Sequence, residues 1–333
     1  MYDLEEGSVR DFLKKTGAKR AAVHLPAGLA RHLPEVEGVF SELGVEMVII
    51  ADNCYGACDL ADDKARKLGC DVLIHYGHAD MGLKPTLPTL FVEARAKGSP
   101  LDAVKLALPE IKFKRVGLVS TVQYIGYLQE VARLLNSHGI QTVVGKSGPR
   151  SKYPGQVLGC DAGCAKAISP VVDGYIYIGT GDFHPMGVAL STGKQVFVIN
   201  PLSNRHKIIT PQQEGFIGRR KAMIAKAALC NKFGVIVSTK AGQARLNQAK
   251  KVAGSLIGSG RQAYILAVDE LAAEKIGNFG LDAYVCVACP RIPLDDADRF
   301  DGPMLTPFEV EVMLGKVPIN PYRVDEVPPE DNG

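Results

Sequence analysis

The chain has 333 residues, enough for two or three domains, and with 46% hydrophobic and 23% charged residues its balance is that of an ordinary globular protein. A net charge of +3 carries none of the clustered Lys/Arg footprint of a nucleic-acid binder, so no nucleic-acid partner is expected. No apolar run approaches the ~18 residues that span a membrane, and the acidic start Met1-Tyr2-Asp3-Leu4-Glu5-Glu6 has no apolar signal core, so the chain reads as cytoplasmic, with no membrane partner.

In chain order, a helix is expected over residues 8–16, with Ser8 as N-cap and Gly17 as its stop. Residues 20–25 read as a strand, Pro26-Ala27-Gly28 as a loop, and the following stretch as a helix ending near Gly44. Residues 45–51 form a nearly continuous Val/Met/Ile run, the pattern of a strand buried on both faces. A loop with Cys54 and Cys58 follows, then a helix over 61–68, a strand over 71–76 and a fourth strand over 87–92. The order recurs: helix 101–111, strand 115–120, helix 126–137, strand 140–145, the Cys160 loop, a helix near Ala165, and strands 173–178 and 194–199. A third copy runs through helix 211–229, strand 233–237, helix 243–257, strand 262–268, a helix to Ile276 and strand 282–287.

Asp71, Asp173 and Asp282 each open the same phrase of acid, apolar strand and small residues. Alternating strands and helices imply parallel βαβ units, and self-similarity at long spacing implies related domains. The expectation is an α/β protein of three homologous domains, 1–98, 99–210 and 211–333, each a small mostly parallel sheet flanked by helices. The Pro- and acid-rich tail from Ile292 is expected to wrap the surface, with a short helix over 308–314 and poor order from Val327 onward.

Eight cysteines fall at 54, 58, 70, 160, 164, 230, 286 and 289. In a cytosolic chain of this size they favour metal or redox chemistry over disulfides. Cys70 and Cys230 read as ordinary buried thiols. Cys58, Cys160 and Cys289 each lie in a small-residue loop after an apolar run. Ligands of open parallel sheets sit beyond the carboxyl ends of the strands, so three such sheets facing a common axis would bring one thiol from each to the centre. Soft thiolates select zinc, Cu(I) or iron–sulfur clusters; four close a zinc site or complete a 4Fe–4S cluster, whereas three leave one iron open to substrate. Cys54, Cys164 and Cys286 form Cys-x3-Cys, Cys-x3-Cys and Cys-x2-Cys spacings with these three, and a zinc or second-cluster reading would use all six.

The motifs Tyr55-Gly56-Ala57-Cys58-Asp59, Gly155-Gln156-Val157-Leu158-Gly159-Cys160 and Ala288-Cys289-Pro290-Arg291, in this order, resemble the archaeal diphthamide synthases that carry out the first step of diphthamide biosynthesis. The resemblance covers nearly the whole chain. It implies a homodimer with three domains in pseudo-threefold arrangement around a 4Fe–4S cluster held by Cys58, Cys160 and Cys289. It further implies an atypical radical chemistry, fed by an electron donor, in which S-adenosylmethionine is cleaved at its S–Cγ bond. The 3-amino-3-carboxypropyl group then passes to imidazole C2 of a histidine in translation elongation factor 2, with methylthioadenosine as leaving group. Within that scheme Arg291 is a candidate for the substrate carboxylate, its alternative being an ion pair with Asp295 or Asp296. Ser238, Thr239, Gln243 and Gln123, each just after a strand, are nominated for polar parts of S-adenosylmethionine, their alternative being loop capping. His75, His78 and His184 read as loop or core histidines near strand ends. Quinolinate synthase, with three pseudo-symmetric domains and three cysteines on one cluster, is the nearest rival; a noncatalytic iron–sulfur or zinc scaffold is the other.

Overall fold

A computed structural model describes residues 2–211 and 214–327. It contains three sheets. The first holds β1 (Arg20–His24), β2 (Glu46–Ile50), β3 (Val72–Tyr76) and β4 (Thr89–Val92) in the order β2-β1-β3-β4. The second holds β5 (Arg115–Ser120), β6 (Gln141–Val143), β7 (Gly174–Ile178), β8 (Val196–Asn200) and β9 (Arg205–Ile209) in the order β6-β5-β7-β8-β9. The third holds β10 (Lys232–Ser238), β11 (Gln262–Val268), β12 (Ala283–Cys286) and β13 (Met304–Leu305) in the order β11-β10-β12-β13. All three therefore share one topology, with the first strand beside the second and third and the fourth outside the third. Every pairing is parallel except β8 with β9.

The repeated aspartates account for part of this likeness. Asp71 accepts the backbone N–H groups of Lys19 and Arg20, Asp173 those of Lys114 and Arg115, and Asp282 those of Asn231 and Lys232. Each carboxylate caps the entry of the neighbouring first strand, and these backbone donors hold Asp71 and Asp282 below the usual carboxylate range. Apolar side chains alternate between the two faces of each sheet. In the third sheet Phe233, Val235 and Val237 pack to one side with α9 (Leu246–Gly258), while Ile236, Tyr284 and Met304 pack to the other. Among the described residues no helix is long and apolar enough to cross a membrane.

Several expectations need correction. The first helix, α1 (Glu6–Thr16), starts before Ser8, and Glu5 is its N-cap. The Val/Met/Ile run of β2 is an edge strand with Ile49 43% exposed, not one buried on both faces. No expected element covers α7 (Phe183–Thr192), the antiparallel β9 or the two-residue β13. The tail does more than wrap a surface: β13 and α12 (Pro307–Met313) complete the third sheet, with Met304, Leu305 and Glu309 fully buried. Val327 is also buried, and its N–H donates to the Cys160 carbonyl at 3.2 Å, while 328–333 lie outside the described residues. So do residues 212–213 of the expected third-copy helix, which is seen as α8 (Glu214–Ala228).

Candidate functional site

Each candidate thiol leaves the carboxyl edge of a different sheet. Cys58 sits in the turn after β2, where the Gly56 carbonyl accepts the Asp59 N–H. Cys160 lies beyond a short extension of the second sheet. The Ser120 N–H donates to the Gly155 carbonyl and the Val157 N–H to the Ser120 carbonyl, both at 2.9 Å. Leu158 and Asp161 then pair across Gly159-Cys160. Gly159 is required there, because a Cβ would fall 2.0 Å from the Phe183 ring. Cys289 follows β12, and the Arg291 N–H at the start of α11 (Arg291–Asp295) faces its sulfur.

The three loops meet. The Gly242 N–H, after β10, donates to the Cys58 carbonyl at 3.0 Å, and Gln243 Nε2 donates to Cys58 Sγ at 3.3 Å. Buried Arg150 of the second sheet's loops donates to the Gly242 carbonyl at 2.8 Å and lies 3.7 Å from Met81 Sδ, so one side chain touches all three units. Lys240 bridges Asp59 at 2.8 Å and Glu270 at 3.1 Å and lies 5.1 Å above the Tyr55 ring. Glu93 accepts from Lys152, Tyr153 and Arg95; burial raises this carboxyl, but the three donors outweigh it and hold it low.

The thiols feel one another's charge. Burial pushes Cys160 up to about 12, Arg150 pulls it back and Cys58 pushes it further. Burial raises Cys289 most, with Cys58 and Cys160 adding to the rise. Burial also raises Cys58, opposed by Gln243 and Arg150. Each thiolate disfavours ionisation of the others, and a bound metal reverses that balance. Accessibility separates them from their neighbours: Cys58, Cys160 and Cys289 are half-buried, while Cys54, Cys164 and Cys286 are buried. Cys164 donates to the Gln156 carbonyl and Cys286 to the Cys289 carbonyl, so both thiols serve their own loops. Half-buried Cys230 lies outside the site, hydrogen-bonded to the Lys226 carbonyl. Three half-buried thiols that act on one another electrostatically are a donor set that fits a cluster with one open iron and falls one short of a closed zinc site.

A cavity of about 490 Å³ opens next to the Cys289 loop, lined in part by Phe183, His184, Phe216, Arg219, Arg291 and Leu294 and by none of the three thiols. Arg291 pairs with Asp295 at 2.9 Å and lies 4.4 Å over the Phe183 ring. Burial holds His184 near about 4, with Arg291 contributing, so its ring is neutral. A second hollow of about 230 Å³ is lined by His78 and Gln123 among others. Gln123 Nε2 donates to the Gly77 carbonyl at 2.8 Å, tying the first two sheets together. Ser238 Oγ accepts the Lys240 N–H, and the Thr239 N–H donates to the Val268 carbonyl, so both shape the loop that presents Lys240 and Gly242. Arg150, Lys240, Gly242 and Asp161 were not among the expected site residues. Only Asp59, inside a quoted motif, carried a signal.

The chain matches the family model described as a diphthamide synthesis protein over residues 25–323. It is 40% identical to the 2-(3-amino-3-carboxypropyl)histidine synthase of Pyrococcus horikoshii, with 98% of this chain and 94% of that protein covered. It is 29% identical to the synthase of the same description from Methanocaldococcus jannaschii, covering 99% of this chain and 95% of that one. Subunit 1 of the Schizosaccharomyces pombe synthase is 31% identical, covering 95% of this chain and 74% of that subunit. The crystal structure of Dph2 from Pyrococcus horikoshii with a 4Fe-4S cluster superposes with a TM-score of 0.92 at 40% identity, over 99% of this chain and 96% of that one. With three like sheets and a match along nearly its whole length, this chain belongs to the diphthamide synthesis protein family.

Proposed function

We propose that the protein is a 2-(3-amino-3-carboxypropyl)histidine synthase that performs the first step of diphthamide biosynthesis. It transfers the 3-amino-3-carboxypropyl group of S-adenosylmethionine to imidazole C2 of a histidine in translation elongation factor 2. Cys58, Cys160 and Cys289 hold a 4Fe–4S cluster in this reading. The observation that supports it is three half-buried thiols on loops at the carboxyl edges of the three sheets, with Cys58 and Cys160 both acting on Cys289.

The cluster, when bound, supplies an electron and a Lewis-acidic iron with a vacant position. The chain's own residues then have definable work. Gln243 Nε2–H and the Arg150 guanidinium favour the thiolate of Cys58, and Arg150 also favours that of Cys160. The cavity beside Cys289 takes the sulfonium substrate, with apolar Phe183, Phe216 and Leu294 keeping water from a reactive carbon. Arg291 exchanges Asp295 for the amino-acid carboxylate. Gln243 contacts the substrate beside Cys58, whereas Ser238 and Gln123 act by holding the loops around it. Neutral His184 offers an acceptor or donor without adding charge next to a sulfonium. Segments 1–98, 99–210 and 211–333 are the three repeats of this reading. The enzyme works as a homodimer of about 71 kDa, twice 35.7 kDa, with a separate electron donor.

The test is anaerobic incubation of dithionite-reduced protein with S-adenosylmethionine and elongation factor 2. Methylthioadenosine together with a modified histidine is the expected result. 5′-Deoxyadenosine alone, or no turnover with a full complement of iron, overturns the proposal. The second result would also bring back the noncatalytic scaffold.

A further inference from the structure

A second group of metal-binding side chains lies in the first sheet, apart from the three facing sulfurs. His24 ends β1, His75 is its in-register partner on β3, and Cys54 belongs to the loop after β2. All three are buried, and one ligand atom from each falls within 4.8 Å of the others. Cys54 Sγ is 3.9 Å from His75 Nε2, and the two imidazoles meet edge-on with centroids 5.4 Å apart. His24 Nε2 faces the Asn53 carbonyl at 3.2 Å. A carbonyl only accepts, so this nitrogen carries the proton, and His24 Nδ1 is left as a bare lone pair. That atom is buried with no hydrogen-bond partner, and so is His75 Nδ1. Two orphaned nitrogens in one buried place call for an explanation, since buried polar atoms are nearly always satisfied. A ring nitrogen on a backbone carbonyl is also the usual way a histidine ligand is held for a metal.

We propose that His24, Cys54 and His75 form a separate site for one borderline-soft divalent cation, of which zinc is the representative, with three protein ligands and one position left to water. Two imidazoles and a thiolate are a donor set for zinc, whereas hard cations such as magnesium or calcium prefer oxygen ligands. Binding converts the Cys54 thiol to thiolate and releases one proton per cation, with no change of oxidation state. The orphaned Nδ1 of His75 is the nitrogen free to ligate, because its Nε2 is taken by His78 Nδ1 at 3.0 Å, a contact that fixes the ring. The site's effect is mechanical. Cys54 and Asn53 begin the loop that carries Cys58 four residues later, so a cation here clamps that loop to β1 and β3.

The experiment uses the full-length protein reconstituted with iron and sulfide, then exposed to zinc, passed through gel filtration and assayed for both metals. One zinc per chain is expected in addition to the iron. His24→Gln and Cys54→Ser should each lower zinc at least tenfold while iron stays unchanged, and Cys286→Ala should keep both metals. With cobalt(II) in place of zinc, a thiolate-to-cobalt absorption should appear and vanish in Cys54→Ser. The proposal is overturned if iron-replete protein retains less than a tenth of an equivalent of zinc. It is equally overturned if both variants bind zinc as the parent does. Because the readout is zinc at constant iron, neither outcome depends on the transferase reading.

Discussion

Gly242→Ala tests the convergence of the loops most directly. A Cβ on this residue would lie 2.4 Å from Cys58 Cα, 2.5 Å from Cys58 Cβ and 2.9 Å from the Cys58 carbonyl oxygen. Carbon atoms in contact sit about 3.5–4.0 Å apart, so the two loops have to separate by roughly 1 Å. None of the opposing atoms is the end of a flexible side chain, and relief must therefore come from backbone. Overpacking of this kind costs about 1–3 kcal/mol. The Gly242 N–H bond to the Cys58 carbonyl, at 3.0 Å, is lost with it, for about 1 kcal/mol more. The sum, about 2–4 kcal/mol, falls on the one segment that positions Cys58. Iron per chain after anaerobic reconstitution should drop severalfold, and the denaturation midpoint should fall. Gly254→Ala is the matched control: it sits exposed inside α9, its new methyl meets nothing within 4 Å, and it should gain about 0.5–1 kcal/mol. A Gly242→Ala protein with full iron and an unchanged midpoint would refute the contact between these loops.

Cys58→Ala should lose most of the cluster iron while Cys54→Ala keeps it; the reverse pattern in iron and sulfide analysis would overturn the ligand assignment. Glu309→Gln should destabilise by about 3–5 kcal/mol in urea unfolding, because it leaves Arg220, paired at 2.6 Å and only 4% exposed, as an uncompensated buried charge. An effect below about 1 kcal/mol would mean that the pair is not sealed from water. Asp325 carries a pH prediction. Burial raises its carboxyl to about 6, against about 3.9 in the unfolded chain. The folded state holds the proton more tightly, so this group's contribution is intact below about pH 4 and is lost as pH rises through about 6. Two units correspond to about 3 kcal/mol at most, less here because the side chain is only half-buried. Asp325→Asn should match the parent near pH 4 and exceed it by about 1–3 kcal/mol near pH 7; an equal gap at both pH values sinks the argument. In cluster-free protein the Gly242 and Val327 amides, which bond to Cys58 and Cys160, should exchange hydrogen faster, while amides of β7 should not change.

Much of the fold could be read from the chain because the strands are short, apolar and punctuated. Strand 173–178 was expected within one residue of β7, and the three aspartates that mark the repeats turn out to make the same pair of backbone bonds. Misreadings arose where local pattern and tertiary position part company. The run in β2 looks doubly buried, yet only its place in the sheet decides that it is an edge. Helix α7 was missed because Pro185 and Gly187 interrupt its propensity, although Pro is tolerated in a first turn. β9 was missed because its pattern is mostly exposed and its partner β8 alone defines it. At the site, the thiols were legible from spacing after strands, but the groups that join the loops were not. Arg150 and Lys240 have no periodicity to betray them, and their meaning comes from partners 92 and 181 positions away in the chain.

The two kinds of contact divide the stability of this molecule unequally. Each sheet is held by its own apolar faces, with strands such as β3 and β7 buried along their whole length. The junction is held by a smaller apolar cluster of Leu190, Phe216, Phe308 and Tyr322, by the buried pair of Lys240 with Asp59, and by single hydrogen bonds such as that from the Gly242 N–H to the Cys58 carbonyl. The Cys58 loop is held in place by polar contacts from the third unit, through Gly242, Gln243 and Lys240. A ligand that binds only when all three loops are in place shifts that equilibrium in proportion to its affinity. A cluster held by Cys58, Cys160 and Cys289, as proposed, would be such a ligand and would couple formation of the site to closure of the junction.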